Sequence, residues 1–399
     1  MPGRLRQFSA IATLVACLAP VAVAAPTTTK SQPSSGATPA PKADPRDFGL
    51  EIPDSGPIRP GEGRRVLVKS VAGKEVVANV HVDIGDRRLV TMPDGRLSSY
   101  LISDTQSTRQ PFQAATQDEI AKDLTEKTFA GFRTKSTKHY LYIYNTSKEF
   151  HTATSRILET MYPHLLTYFK RQKFPVHDPA TPMVVIMFET EAEFQKYHAM
   201  PPGVVAYYSN VSNHVVVYER GKLNQVAPLI AEQQAIATIA HEGVHQILHS
   251  IGVQQRLAHW PIWISEGLAE YFAPTTTDER LRWKGVGKVN DMRMFELARY
   301  LRQPEREHGS MVEHTVSAAR LTSTGYATAW ALTHYLAARK KDKFFAYLSD
   351  VATAQPLAAG VTADFSDEPL DNKELFIKHF GANFGVMETD LIRYIEGLQ

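Results

Sequence analysis

Residues 241 to 245 read His241-Glu242-Gly243-Val244-His245. Two histidines four apart on a helix lie one turn apart on one face, where two imidazoles can grip one ion. The glutamate beside the first is placed to take a proton from water at that ion, a division of labour found in zinc hydrolases. In a chain with 15 histidines the motif alone is only suggestive, and its surroundings give it weight. A catalytic zinc needs three protein ligands and an open fourth position. About twenty residues on, Trp263-Ile264-Ser265-Glu266-Gly267-Leu268-Ala269-Glu270-Tyr271-Phe272 reads as a short helix stopped by Pro274. Its Glu266 can close the coordination shell from a second, antiparallel helix. Glu270, one turn further, is the other candidate; behind a ligand imidazole it would instead orient the ring, as metal-bound histidines require. Ile251 stands where a third histidine of an extended motif would have to be. His249 continues the same face, but each four-residue step drifts by about 40°, which carries it off the metal.

The elements that must position these groups are legible around them. Pro228 suits a helix start and Gly252 a helix end. Between them Leu229, Ile236, Ala240, Val244, Ile247 and Ile251 recur at the helical period and define a buried stripe. Upstream, Lys138 to Tyr144 alternates as a half-buried strand, and Thr146-Ser147-Lys148-Glu149 has the capping-box pattern for a long helix to about Arg171. Met183 to Phe188 reads as a buried strand, and Thr190-Glu191-Ala192-Glu193 repeats the capping pattern. Two more strands, Val204 to Tyr208 and His214 to Tyr218, flank the turn Ser209 to Asn213. The order β-α-β-α-β-β implies a mixed sheet with helices packed on it. The strand His214 to Tyr218 is expected to present an open edge to which an extended peptide could add. Beyond Pro228 the chain reads as almost entirely helical.

Before this domain, short β-rich runs such as Val66-Leu67-Val68 and Val76 to Val82 alternate with turn signals at Ala72-Gly73, Ile84-Gly85-Asp86 and Asp94-Gly95. They imply a small antiparallel module over residues 48–135, followed by the catalytic domain over 136–399. The fold class expected is therefore α+β. Residues 25–47, rich in Thr, Ser, Pro, Ala and Lys, read as a disordered linker. Arg4 and Arg6, the apolar stretch Phe8 to Ala25 and the small residues Ala22-Val23-Ala24 have the parts of a secretory signal peptide over residues 1–24. Pro20 and the shortness of the run argue against a membrane span, which needs about 20 predominantly apolar residues. The protein is thus expected to be periplasmic or secreted. Leu14-Val15-Ala16-Cys17 resembles a lipobox, but the residues after it stay apolar. Cys17 is the sole cysteine, so cleavage after Ala24 would leave a metal site only His and carboxylate ligands, which tilts it towards catalysis. A formal net charge of +2 and the lack of a long basic run argue against a nucleic-acid partner.

At the metal motif and the Trp263 to Phe272 segment the chain resembles the gluzincin metallopeptidases, and more narrowly the bacterial peptidase MA-like group. The resemblance runs from about Lys138 to the C-terminus. It takes in the Tyr326-Ala-Thr-Ala-Trp330 helix and the closing segments Phe376 to Gly381 and Leu391 to Tyr394. It implies a zincin-like fold, zinc held by His241, His245 and Glu266, Glu242 as general base, and Tyr326 as oxyanion donor. Tyr326 shares its helix face with Trp330 and His334, so a stripe lining the core or cleft is the plainer alternative; His334 and His259 are not assigned to the chemistry. The Gly-x-Met-Glu-Asn segment of the aminopeptidase branch is missing, which favours an endopeptidase acting on peptides or proteins. The competing expectation is a non-catalytic envelope protein that keeps a metal-stabilised gluzincin fold and makes its contacts through the N-terminal module. Such a binder has no need of Glu242.

Overall fold

The computed structural model describes residues 44–71, 73–276, 281–359 and 372–398. The expected signal peptide with Cys17, and the expected linker as far as residue 43, lie outside the described residues. The last linker residues are already folded: Asp44 caps a 3-10 turn over Pro45–Phe48, and the Phe48 ring stacks on His198 at 4.2 Å. The fold is mixed α+β, with a β-rich N-terminal region and a helical C-terminal half. Among the described residues no helix is long and apolar enough to cross a membrane.

The first sheet contains β1 (Ile58–Pro60), β2 (Arg65–Lys69), β3 (Glu75–Ile84), β4 (Arg87–Thr91), β5 (Leu97–Leu101) and β6 (Gln106–Ser107). Its order is β5-β4-β3-β2-β6, all antiparallel, with β1 on the second half of β3. The register of β3 against β4 slips between Val80 and Val82, leaving His81 as a bulge. An extra residue swaps the faces of a strand. Ala78 and Val80 accordingly pack in one apolar cluster, while Val82 and Ile84 pack in another that contains Val211, Leu257 and Leu357 of the larger domain.

The sequence places the domain boundary at 135, but the small sheet ends at Ser107. Helix α1 (Gln117–Lys127) and strand β7 (Arg133–Ser136) belong with the second sheet, whose apolar residues Leu141 and Ile143 cover Ile120, Leu124 and Phe129. That sheet adds β8 (Tyr140–Tyr144), β9 (Met183–Thr190), β10 (Ala206–Ser209) and β11 (His214–Arg220), in the order β10-β11-β9-β8-β7. Strands β8, β9 and β11 are parallel, and the two outer strands are antiparallel to their neighbours. The expectation of an open edge on His214 to Tyr218 is therefore wrong. Residues 206–209 fold back and cover β11, and the edge belongs to β10. The burial of all five residues His214 to Tyr218 is that of an inner strand.

Between these strands come α2 (Lys148–Arg171) and α3 (Glu191–Tyr197). The Thr190 capping box forms as expected, but the α2 cap is Ser147, not Thr146. The reciprocal carboxylate comes from β11: Glu219 accepts from the Ser147 N–H and hydroxyl, both at 2.7 Å. The helical half comprises α4 (Leu223–Val226), α5 (Pro228–Ser250), α6 (Ile262–Phe272), α7 (Asp291–Leu301), α8 (Met311–Ser317), α9 (Ser323–Arg339), α10 (Lys341–Val351), α11 (Lys373–Phe380) and α12 (Phe384–Glu396). Helix α5 matches its expected span and buries Ile236, Ala240, Val244 and Ile247 against α2 and the second sheet; Leu229, assigned to that stripe, is 71 % exposed. Position 229 lies in the first turn, which extends beyond the core.

Candidate metal centre

Helices α5 and α6 bring the carboxylates and imidazoles together because each is pressed against a neighbour through a glycine. A Cβ at Gly243 would lie 2.3 Å from Leu158 Cδ2 on α2, and one at Gly267 would lie 2.8 Å from the Ala329 carbonyl oxygen on α9. Side-chain atoms of His241, His245 and Glu266 then converge within one ligand-sized cluster. His241 Nε2 is 3.1 Å from Glu266 Oε2 and 3.3 Å from His245 Nε2, and His245 Nε2 is 3.6 Å from the same oxygen. Donor atoms about 2.0–2.1 Å from a tetrahedral zinc stand about 3.3–3.4 Å apart, so these separations fit the ion.

Proton accounting points the same way. His241 Nδ1 faces Glu270 Oε1 at 3.2 Å, on the side of the ring away from Glu266. A neutral imidazole that donates from Nδ1 leaves a lone pair on Nε2. That lone pair faces a second imidazole nitrogen and a carboxylate oxygen, an arrangement that a cation relieves. The charges respond strongly. Burial would lower the His241 pKa, but Glu266 and Glu270 raise it well above the histidine range. Burial would raise the Glu266 carboxyl, but His245 and His241 hold it well below the carboxylate range.

Glu242 points elsewhere. Its Oε2 accepts the backbone N–H of Tyr208 on β10 at 2.8 Å, so the edge strand and this carboxylate are in direct contact. Burial pushes its pKa up, only partly offset by His241 and His245.

Behind the histidines sits a clamp. The Glu270 side chain is 5 % exposed and accepts from Arg293 Nη2 at 2.7 Å and Asn290 Nδ2 at 2.8 Å. Asn290 is also the N-cap of α7, its side chain accepting from the Arg293 N–H. Arg293 further donates to Glu296 at 2.7 Å, and its guanidinium lies 5.2 Å from the Tyr326 ring centre. Burial alone would raise Glu270, yet Arg293 and then His241 hold it at about 2. Neither Arg293 nor Asn290 belongs to any motif read in the sequence.

Tyr326 is half-buried, its ring 6.5 Å from that of His241. Glu266, then burial, raise its phenol well above the usual range, so it keeps its proton. His249 turns away from the cluster and stacks on Tyr208 at 5.3 Å. His334 has Nδ1 at 2.7 Å from the Tyr394 hydroxyl and Nε2 at 3.1 Å from the Gly287 carbonyl, while His259 meets Asn372.

The stretch 235–358 matches a family model described as a protein of unknown function (DUF1570). It contains His241, Glu242, His245, Glu266, Glu270 and Tyr326, and leaves out the first sheet. No curated protein matches the chain.

Proposed function

We propose that the protein is an exported zinc-dependent metallopeptidase of the gluzincin kind, an endopeptidase, with His241, His245 and Glu266 as zinc ligands and Glu242 as general base. The observation that carries this reading is the convergence of two imidazole nitrogens and a carboxylate oxygen at 3.1–3.6 Å, next to the half-buried Glu242 carboxylate outside the cluster. Zinc bound there would lower the pKa of a water and polarise a substrate carbonyl. Glu242, held by the Tyr208 N–H, takes the proton of the attacking water and passes it to the leaving amine. Its raised pKa suits a group that must both accept and return a proton. The protonated Tyr326 phenol donates to the charge that develops on the carbonyl oxygen. Glu270 keeps His241 in the tautomer that turns Nε2 to the metal. The outer edge of β10, which borders Glu242, takes an extended peptide as an added strand.

The test is digestion of a diverse peptide library by the zinc-loaded protein, with cleavage sites read by mass spectrometry. Wild type should bind one zinc and cleave, and a chelator should abolish cleavage. Replacing His241, His245 or Glu266 by Ala should each abolish stoichiometric zinc. Glu242→Gln should keep zinc and fold while losing about 10²–10⁴-fold in rate. Zinc-loaded Glu242→Gln cleaving as fast as wild type would overturn the mechanism. A wild type that holds zinc and cleaves nothing would favour the non-catalytic binding protein.

A further inference from the structure

The first sheet meets the larger domain at one point of particular chemistry, around Arg256 in the loop after α5. Among the described residues no ion pair involves this half-buried guanidinium. Its N–H groups go to three oxygens on two separate hairpins. Nη1 donates to the Gly95 carbonyl at 2.8 Å, in the β4–β5 turn, and to the Asn210 carbonyl at 3.4 Å, in the β10–β11 turn. Nη2 donates to Thr91 Oγ1 at 3.3 Å, at the end of β4. A guanidinium presents its donors in one rigid plane, so it fixes the mutual positions of the oxygens it serves.

Neighbouring contacts close the same junction. The Leu97 N–H donates to the Val211 carbonyl at 2.8 Å, which joins the first strand residue of β5 to the turn of the hairpin. The bulge residue His81 donates from Nε2 to the Arg256 carbonyl at 2.7 Å. Leu97, Val211 and Leu257 share one apolar cluster.

From the turn the path to the chemistry is short. The Tyr208 hydroxyl donates to Asn213 Oδ1 at 2.9 Å, its ring stacks on His249, and its backbone N–H holds Glu242 Oε2. Strand β10 has only four residues and pairs on one side, so its position depends on how its turn is held.

We propose that the N-terminal sheet is a working part of the cleft: through Arg256 it anchors the β10–β11 turn and so sets where the Tyr208 N–H meets Glu242. Arg256 is then a positioning residue. The link to catalysis rests on Glu242 being the base; the anchoring does not.

The experiment uses the full chain with Arg256→Ala and Arg256→Lys, read by amide hydrogen exchange, zinc content and steady-state kinetics on a peptide that wild type cleaves. Arg256→Ala should speed exchange over residues 205–211 by at least about 10-fold, while β8 and zinc content stay as in wild type. Its kcat should fall about 10-fold with KM within about twofold, because the base and not the ground-state contact is displaced. Arg256→Lys, which keeps charge and loses the fork, should lie between. Should Arg256→Ala unfold throughout, Arg256→Lys carries the same comparison. Unchanged exchange over 205–211 would overturn the anchoring. Faster exchange with unaltered kcat in an active enzyme would overturn the link to Glu242. A wild type without activity would remove the hydrolase reading but leave the exchange comparison decisive for the anchor.

Discussion

Replacing Arg293 by methionine tests the clamp behind His241, because it removes the charge and keeps most of the volume. Glu270 would keep Asn290 and His241 as partners but lose the nearest cation, at 2.7 Å, while remaining 5 % exposed. Its carboxyl is held at about 2 against an ordinary 4.5. At about 1.4 kcal/mol per pH unit this corresponds to about 3 kcal/mol of stability at neutral pH. Breaking one side of a buried pair costs about 3–5 kcal/mol in comparable cases. The metal-free variant should therefore unfold about 3 kcal/mol more easily in urea at neutral pH. Because the folded pKa is depressed, this contribution is complete above about 4.5 and is lost as the pH falls towards about 2. The penalty should shrink over the same window. Zinc affinity, read by competition with a chromogenic chelator, should drop about 10–100-fold as Glu270 loses its fixed orientation. Adding Glu270→Gln should recover part of the stability, since stranding one buried charge costs more than removing both. A variant within about 0.5 kcal/mol of wild type and within about threefold in zinc affinity would refute the reasoning.

Three other outcomes follow from particular contacts. Gly267→Ala should destabilise by about 1–3 kcal/mol in thermal or urea unfolding, because its Cβ meets the Ala329 carbonyl oxygen at 2.8 Å as well as the Thr333 hydroxyl. Tyr326→Phe should lower kcat about 10²–10³-fold with zinc content unchanged; a kcat within about twofold of wild type would make Tyr326 a cleft wall only. His214 is 4 % exposed and burial holds its ring at about 4, below the ordinary 6.5. The unfolded chain therefore takes up a proton first, and stability should fall by up to about 3 kcal/mol as pH drops from about 6.5 to about 4. Urea midpoints across that range should show a shallower slope for His214→Gln.

What could be read from the chain alone follows from how local each signal is. Helix α5 announces itself through a 3.6-residue repeat, and the same repeat fixes His241 beside His245, so both could be read together. Glu266 and Glu270 lie on a second such helix, one turn apart, and the structure turns them to opposite sides of the His241 ring. The cap of α2 is not legible locally, because the carboxylate that serves Ser147, Glu219, lies 72 positions away on β11. The open edge is not legible either, because a strand pattern identifies a strand without saying which neighbour covers it. Arg293 and Arg256 look like ordinary surface cations in sequence. Only tertiary packing brings one to the Glu270 carboxylate behind His241 and the other to the oxygens of two hairpins.

The glycines at 243 and 267 each follow a carboxylate of the site, Glu242 and Glu266, and each marks where its helix touches a third party, α2 or α9. The spacing of the proposed ligands is thus set from outside the two helices that carry them. An engineer who copied only residues 228–272 onto a new scaffold would transfer His241, His245 and Glu266 and lose the walls that space them. A transplant that keeps geometry must bring Leu158 and the Ala329–Thr333 turn as well, or supply surfaces of equal shape at both glycines. Conversely, enlarging either glycine together with a matched trimming of its wall offers a way to alter ligand spacing, and with it metal preference, without touching a ligand.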